Sequence, residues 1–327
     1  MVDLAFQGEF ERRTSAGAPP AEIEAMARRL RSNPGLAEDR LALAAAFAHA
    51  AFAAPERIAQ TYDAAAAGWL GAPVAGPRIA VQDIYAAPLG RAFWTDFWSL
   101  VADSGTGMGA GDATSRTAAL AARLDPSHLA HVARACLAYP SVGAAAEAGY
   151  PDRTRLEDLA ACPAGSLGHD FYRLIVDNQF DLEVLDRDAL GLAQLPPPLD
   201  YLNARMLQTH DLWHITAGYQ TTKLHEVAIS AFQMAQFGHA YSAMFLAVVA
   251  TTMSAAPAEV YALLLDTFLT AWAHGRATPP MLLIPWEDVW QDSTRAIRSR
   301  FGVEPYAAPY PPDLFEQYEA AELGRVG

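Results

Sequence analysis

The chain has 327 residues, 52% of them apolar, and its 23 Lys and Arg against 37 Asp and Glu leave a formal charge of −14. That length can bury a large core without external staples, while the acidic balance excludes nucleic acid as the main partner and gives an anionic lipid surface no charge-based hold. Cys136 and Cys162 stand alone without CxxC spacing, so neither a disulfide framework nor a cysteine zinc site is indicated, and a reducing interior fits best. Alanine dominates and β-branched residues are sparse, which favours a mostly α fold.

In chain order, the opening MVDLAFQGEFERR mixes acids with bases and lacks both the apolar run of a signal peptide and the acid-poor character of a transit peptide. Residues 21–70 carry two or three alanine-rich helical patterns, broken at Asn33-Pro34-Gly35. Gly and Pro cluster over 71–90. The aromatic run FWTDFWSL at 93–100 then precedes DSGTGMGAGDATS, whose glycines follow no strand and read as a flexible connector, not a phosphate loop.

From about residue 115 helical periodicity tightens through TSRTAALAARL, PSHLAHVARACLAY and GSLGHDFYRLIVDNQF, with Ser166 as a candidate N-cap for the last. LPPPLDY at 195–201 punctuates before a helix bearing His210 and His214. Gly218 ends that helix, and Thr221 or Thr222 caps the next, which bears Glu226. The apolar stretch 227–256 is interrupted by Gln233, Gln236 and His239, so it reads as a buried helix and not as a membrane span. Two further helical patterns follow, PAEVYALLLDTFLTAWAHGRA and WEDVWQDSTRAIRSRFG; there is no internal repeat and no sustained heptad.

The chemistry concentrates in HDLWHITAGYQTTKLHE, residues 210–226. Positions four apart lie one helical turn apart on one face, so His210 and His214 can offer imidazoles to a single ion. Asp211 sits about 100° round from His210 and about 60° from His214, close enough to join from the flank. Two neutral imidazoles with one or two carboxylates neutralise a divalent ion and leave a position open, the composition of catalytic zinc and of two-histidine, one-carboxylate iron sites. A histidine pair alone is weak evidence, since each ring can be satisfied by a backbone carbonyl.

HDLWH followed after eleven residues by Glu226 resembles the HDxxH-x11-E signature of the Coq4 family of ubiquinone biosynthesis proteins. PAGSLG at 163–168, Arg205, HGRA at 274–277 and WEDVW at 286–290 fit in the same order, so that the resemblance extends over roughly 115–315. It implies an all-α, multi-helix fold, frequently dimeric, with an N-terminal helical extension over 1–110 and a metal-binding domain over 111–327. It implies a divalent metal held by His210, Asp211, His214 and Glu226, zinc first, with iron or manganese as alternatives. The implied reaction is oxidative decarboxylation, with hydroxylation, at ring carbon 1 of a polyprenyl-4-hydroxybenzoate precursor, with dioxygen as co-substrate. Other ubiquinone biosynthesis proteins and a membrane surface are the implied partners, which places a bacterial chain in the cytoplasm, peripheral on the inner face of the cell membrane. The sequence departs from the family's pattern in its first 110 residues, at His225, where glycine is usual, and at His169-Asp170.

Arg276, in HGRA, offers a planar fork for a substrate carboxylate, with a helix-end salt bridge as the alternative. Arg205 lies about 140° from His210 on the helix, so a structural pair with an acid suits it better. Lys223, the only lysine, reads as a surface residue; His225 and the His169-Asp170 pair read as outer neighbours of the site or as ordinary residues. Phe232, Met234, Phe237, Met244 and Phe245 fit core packing, or a slot for a polyprenyl tail. Two other functions compete: a lipid-binding scaffold that organises biosynthetic enzymes, and an HD-type phosphohydrolase, since His-Asp recurs at 169 and 210.

Overall fold

The protein is described here by a computed structural model covering residues 4–81, 84, 86–104, 110–147, 149, 152–180, 182, 187, 188, 190–318 and 320. In chain order the α-helices are α1 (Leu4–Ala16), α2 (Pro20–Ser32), α3 (Ala37–Ala48), α4 (Ile58–Leu70), α5 (Arg91–Ser104), α6 (Ala110–Leu120), α7 (His128–Leu137), α8 (Pro140–Ala146), α9 (Leu156–Ala160), α10 (Leu167–Asn178), α11 (Leu199–Ala217), α12 (Lys223–Phe237), α13 (Ala240–Ser254), α14 (Ala258–Ala277) and α15 (Thr294–Phe301). No strand occurs among the described residues, so the fold is all-α.

The chain divides into two compact units, the first made of Met1–Ala138, Val227–Ala277 and Ala308–Tyr310. Here α2 packs on α4, α13 on α3 and α5, and α14 on α4. Alanine permits this: Ala64, Ala65 and Ala66 of α4 are buried, and Gly68 passes so close to α2 that a Cβ would meet the Glu24 carbonyl oxygen at 2.1 Å. Between the small residues, aromatic rings fill the volume. Tyr62 lies 4.6 Å from Phe47 and 5.1 Å from Trp272, and Phe10 joins Phe97 and Trp98 at 5.7 and 5.3 Å. Each such buried ring contributes on the order of 1.5–3 kcal/mol.

The second unit comprises Tyr139–Glu226, Thr278–Ala307 and Pro311–Gly327. Ser166 caps α10, its hydroxyl accepting the His169 N–H at 3.3 Å. Gly218 ends α11 in the left-handed conformation at φ 82, with its N–H donating to the His214 carbonyl. Gly168 passes against the Trp290 carbonyl and Cys162, a seam that leaves no room for a side chain. Both cysteines are free and buried.

Several expectations change. The stretch 227–256 is buried but is not one helix: Gly238, at φ 72, breaks it into α12 and α13. In WEDVWQDSTRAIRSRFG only the second half is α-helical, because Ser293 caps a new start by accepting the Ala296 N–H at 3.2 Å, while Trp286–Asp288 is a single 3-10 turn. The expected connector 103–115 enters α6 at Ala110; its residues 105–109 lie outside the described residues. By contact, α13 and α14 group with the N-terminal helices, because they bury their apolar sides on α3, α4 and α5. Among the described residues no helix is long and apolar enough to cross a membrane.

Candidate metal centre

The last two turns of α11 and the first turn of α12 place three side chains at one corner of the second unit. The Nε2 atoms of His210 and His214 are 3.1 Å apart. Glu226 faces both, with Oε2 3.5 Å from His210 Nε2 and Oε1 3.3 Å from His214 Nε2. Asp211 joins from the flank: His210, Asp211 and His214 offer ligand atoms within 4.8 Å of one another. The His214 side chain is fully buried, whereas those of His210 and Glu226 are 33% and 44% exposed, so the corner opens on their side.

His214 Nδ1 lies 3.3 Å from the Tyr219 carbonyl oxygen. A carbonyl only accepts, so the His214 proton sits on Nδ1 and the Nε2 lone pair points at the corner. There it meets the His210 Nε2 and two carboxylate oxygens, so at least three of the four atoms are acceptors, which favours a positive centre. Donors at about 2.0–2.2 Å from a tetrahedral ion are about 3.3–3.6 Å apart, close to the 3.1, 3.3 and 3.5 Å observed. The residues present fit a divalent ion. Burial pushes the Glu226 carboxyl up, but wherever His210 and His214 carry an added proton their hydrogen bonds and charge outweigh it and hold the group well below the usual carboxylate range.

The turn between the helices is built to hold this corner. Arg298 donates to the Thr216 and Ile215 carbonyls at 2.8 and 2.9 Å, capping the end of α11, and the Tyr306 N–H donates to the Ala217 carbonyl at 2.8 Å. Tyr219 and Tyr306 stack at 4.5 Å. At the start of α12 the Lys223 N–H donates to Glu316 at 2.9 Å, while the Thr222 hydroxyl, an expected cap, donates instead to the Pro312 carbonyl at 2.6 Å. None of Arg298, Tyr306 or Glu316 carries a local sequence signal; each reaches the turn from the C-terminal segment.

The remaining expected residues divide clearly. Arg276 is buried in the first unit, and its fork is taken by Asp63, with Nε 3.0 Å from Oδ1 and Nη2 3.3 Å from Oδ2, and by the Pro77 carbonyl. The fork thus makes the helix-end ion pair that was the alternative expectation to a substrate carboxylate. Arg205 forms the expected structural pair, bidentate to Glu287 at 2.5 and 2.8 Å; burial raises the Glu287 carboxyl and Arg205 more than compensates, holding it below its ordinary range. Lys223 stands at an exposed position. His169 and Asp170 join no ligand cluster of three among the described residues. His225 is buried, accepts the Gln220 N–H on Nδ1 at 2.8 Å, and is held neutral over a wider range by burial and the neighbouring His214 charge.

Fold and site together define an all-helical protein with two histidines and two carboxylates gathered at one corner. Residues 151–307, just under half of the chain, match the family described as Coenzyme Q (ubiquinone) biosynthesis protein Coq4. The match is shorter than the expected 115–315 but contains every motif quoted above. The Rattus norvegicus ubiquinone biosynthesis protein COQ4 homolog, mitochondrial, is 28% identical over 152 residues, which are 46% of this chain and 55% of that protein. The Drosophila ananassae homolog is 26% identical over 145 residues, 44% and 53% of the two chains. The chain thus spans about half the length of the curated relatives it matches. A crystal structure of a candidate ubiquinone biosynthesis protein from Nostoc punctiforme PCC 73102 shares the fold, with a TM-score of 0.50 at 24% identity, covering 65% of this chain and 97% of that one.

Proposed function

We propose that this chain acts in ubiquinone biosynthesis and that the His210–Asp211–His214–Glu226 corner holds a divalent ion for oxidative decarboxylation of a polyprenyl-4-hydroxybenzoate-type precursor. One observation carries the reading. Within the family-matched region, two imidazole nitrogens and both oxygens of one carboxylate converge at 3.1–3.5 Å, with one imidazole already fixed in the ligating tautomer.

When bound, the ion supplies Lewis acidity toward the precursor's carboxylate and phenolic oxygens. The chain's own groups set the rest. Buried His214 fixes the inner wall of the corner, and the part-exposed His210 and Glu226 leave the outer side open for an aromatic acid. The Glu226 carboxylate, held ionised, supplies negative charge beside the two imidazoles and so helps to hold the ion. The reaction balances with one dioxygen: the bond from ring carbon 1 to the carboxyl breaks, a carbon–oxygen bond forms there, and carbon dioxide and water leave a ring at the quinone level. The substrate tail, dimerisation, the membrane face and the pathway partners belong to this same proposal, which the family's described role supports.

The test is elemental analysis of protein purified without chelators, run beside product analysis with a carboxylated precursor. About one divalent ion per chain, and a decarboxylated, oxygenated product, are expected. A chain that holds its ion but yields no product acts as a scaffold, and turnover of a nucleotide phosphate instead would mark a phosphohydrolase.

A further inference from the structure

One peptide bond in the turn between α11 and α12 is held at both ends by histidines. The Tyr219 carbonyl accepts from His214 Nδ1 at 3.3 Å. Across the same peptide plane, the Gln220 N–H donates to His225 Nδ1 at 2.8 Å. The two contacts impose opposite tautomers: His214 carries its proton on Nδ1, His225 on Nε2. His225 is 4% exposed, and its Nε2 has no hydrogen-bond partner. The ring stands edge-on to Tyr219 and Tyr306 at 5.9 and 5.8 Å. A buried N–H without an acceptor is costly, so the tautomer is set by what the other nitrogen does, and that nitrogen accepts the turn peptide.

We infer that His225 is a positioning residue: by accepting the Gln220 N–H it orients the Tyr219–Gln220 peptide so that its carbonyl holds His214 in the tautomer whose Nε2 faces Glu226. The effect passes through one rigid amide, which is planar and cannot tilt its N–H without tilting its carbonyl. Polarisation runs the same way, since an acceptor on the N–H makes the carbonyl oxygen a better acceptor for His214. The Tyr219–Tyr306 stack keeps the His225 ring from turning away. This inference rests on the ion-binding reading for its consequence, but its structural content concerns the metal-free protein.

The test uses the full chain and two substitutions of opposite meaning. His225→Phe keeps the aromatic volume and removes the acceptor. His225→Asn loses ring volume but puts Oδ1 where Nδ1 stood. In metal-free, 15N-labelled wild type, ring nitrogen shifts should report Nδ1–H for His214 and Nε2–H for His225; the reverse tautomer at either ring overturns the inference. In folded His225→Phe the His214 ring should become a tautomer mixture and Co2+ affinity, measured against a competing chelator, should fall about tenfold or more, as for loss of other outer partners of a ligand histidine. His225→Asn should stay within about threefold of wild type and keep the His214 tautomer. If Phe and Asn lose affinity equally, packing is the role and the inference fails; if Phe binds as wild type, it fails as well. Wild type with the stated tautomers but no Co2+ uptake would sink the ion-binding proposal and leave the peptide clasp standing.

Discussion

Two motif-borne charge centres, one in each unit, differ in how they treat an acid. Around Asp63, every partner complements the carboxylate: Arg276 grips it through two nitrogens and the Trp272 indole N–H donates to it at 2.9 Å. At the His210–Glu226 corner the carboxylate faces two ring nitrogens, one of which presents a lone pair. The first centre is electrostatically closed; the second is complete only with a proton or an ion. A closed pair of this kind adds to the fold's specificity, whereas acceptors gathered against one another serve to bind.

That contrast breaks most sharply on substitution of one residue from each centre. His214→Ala should weaken divalent-ion binding by about 100-fold or more and abolish precursor turnover, because it removes a buried donor from a four-donor set. In the metal-free protein the same change should cost under about 1 kcal/mol beyond the packing lost, since it relieves a crowd of acceptors. Metal titration and urea melts of the same sample check both halves. A metal-free melt shifted by several kcal/mol would mean that the corner is closed by protons and holds the fold together.

Arg276→Ala should do the opposite. It strands Asp63 and the Pro77 carbonyl, and because the Asp63 side chain is 31% exposed the loss should be about 2–3 kcal/mol, below that of a fully buried pair. Ion stoichiometry should not change. An unaltered melting midpoint with a raised KM for the precursor would restore the substrate-carboxylate role.

What the sequence disclosed follows the same divide. The convergence of His210, Asp211, His214 and Glu226 was legible because it depends on helix period and one short turn, and the cap at Ser166 and the stop at Gly218 are likewise local. The partner of Arg276 was not, since Asp63 lies 213 positions away and no local pattern marks an aspartate inside an alanine-rich helix as an ion-pair partner. The break at Gly238 was hidden by apolar residues on both sides, which read as one run until a left-handed glycine interrupts it. The role of His225 also lay out of reach, because its acceptor function appears only once the turn peptide is folded against it.

The smallest effect expected separates two acids whose carboxyls are both held below their ordinary range. Glu287 is held down by Arg205, a cation at every accessible pH, and Glu226 by histidines. A folded pKa below the unfolded one gives stability that is fully present above the unfolded value, about 4.5, and is lost as pH falls through the folded value. Both groups therefore add to the acid limb of the stability curve below pH 4.5, and neither adds to any change between pH 5 and 7. Glu287→Gln should lower stability at pH 7 by about 1 kcal/mol, a figure kept small because the Glu287 side chain is 54% exposed. It should also flatten the acid limb. Glu226→Gln should flatten it too, while costing less at pH 7, because its contacts to the two histidines, at 3.3 and 3.5 Å, are longer than those of the Arg205–Glu287 pair at 2.5 and 2.8 Å. Ion affinity should then fall for Glu226→Gln alone. The measurement is a set of urea midpoints at pH 7, 4.5 and 3 in metal-free buffer. Equal losses at pH 7 for the two variants would show that Glu226 is paired as firmly as Glu287, so that the corner is closed without any ion.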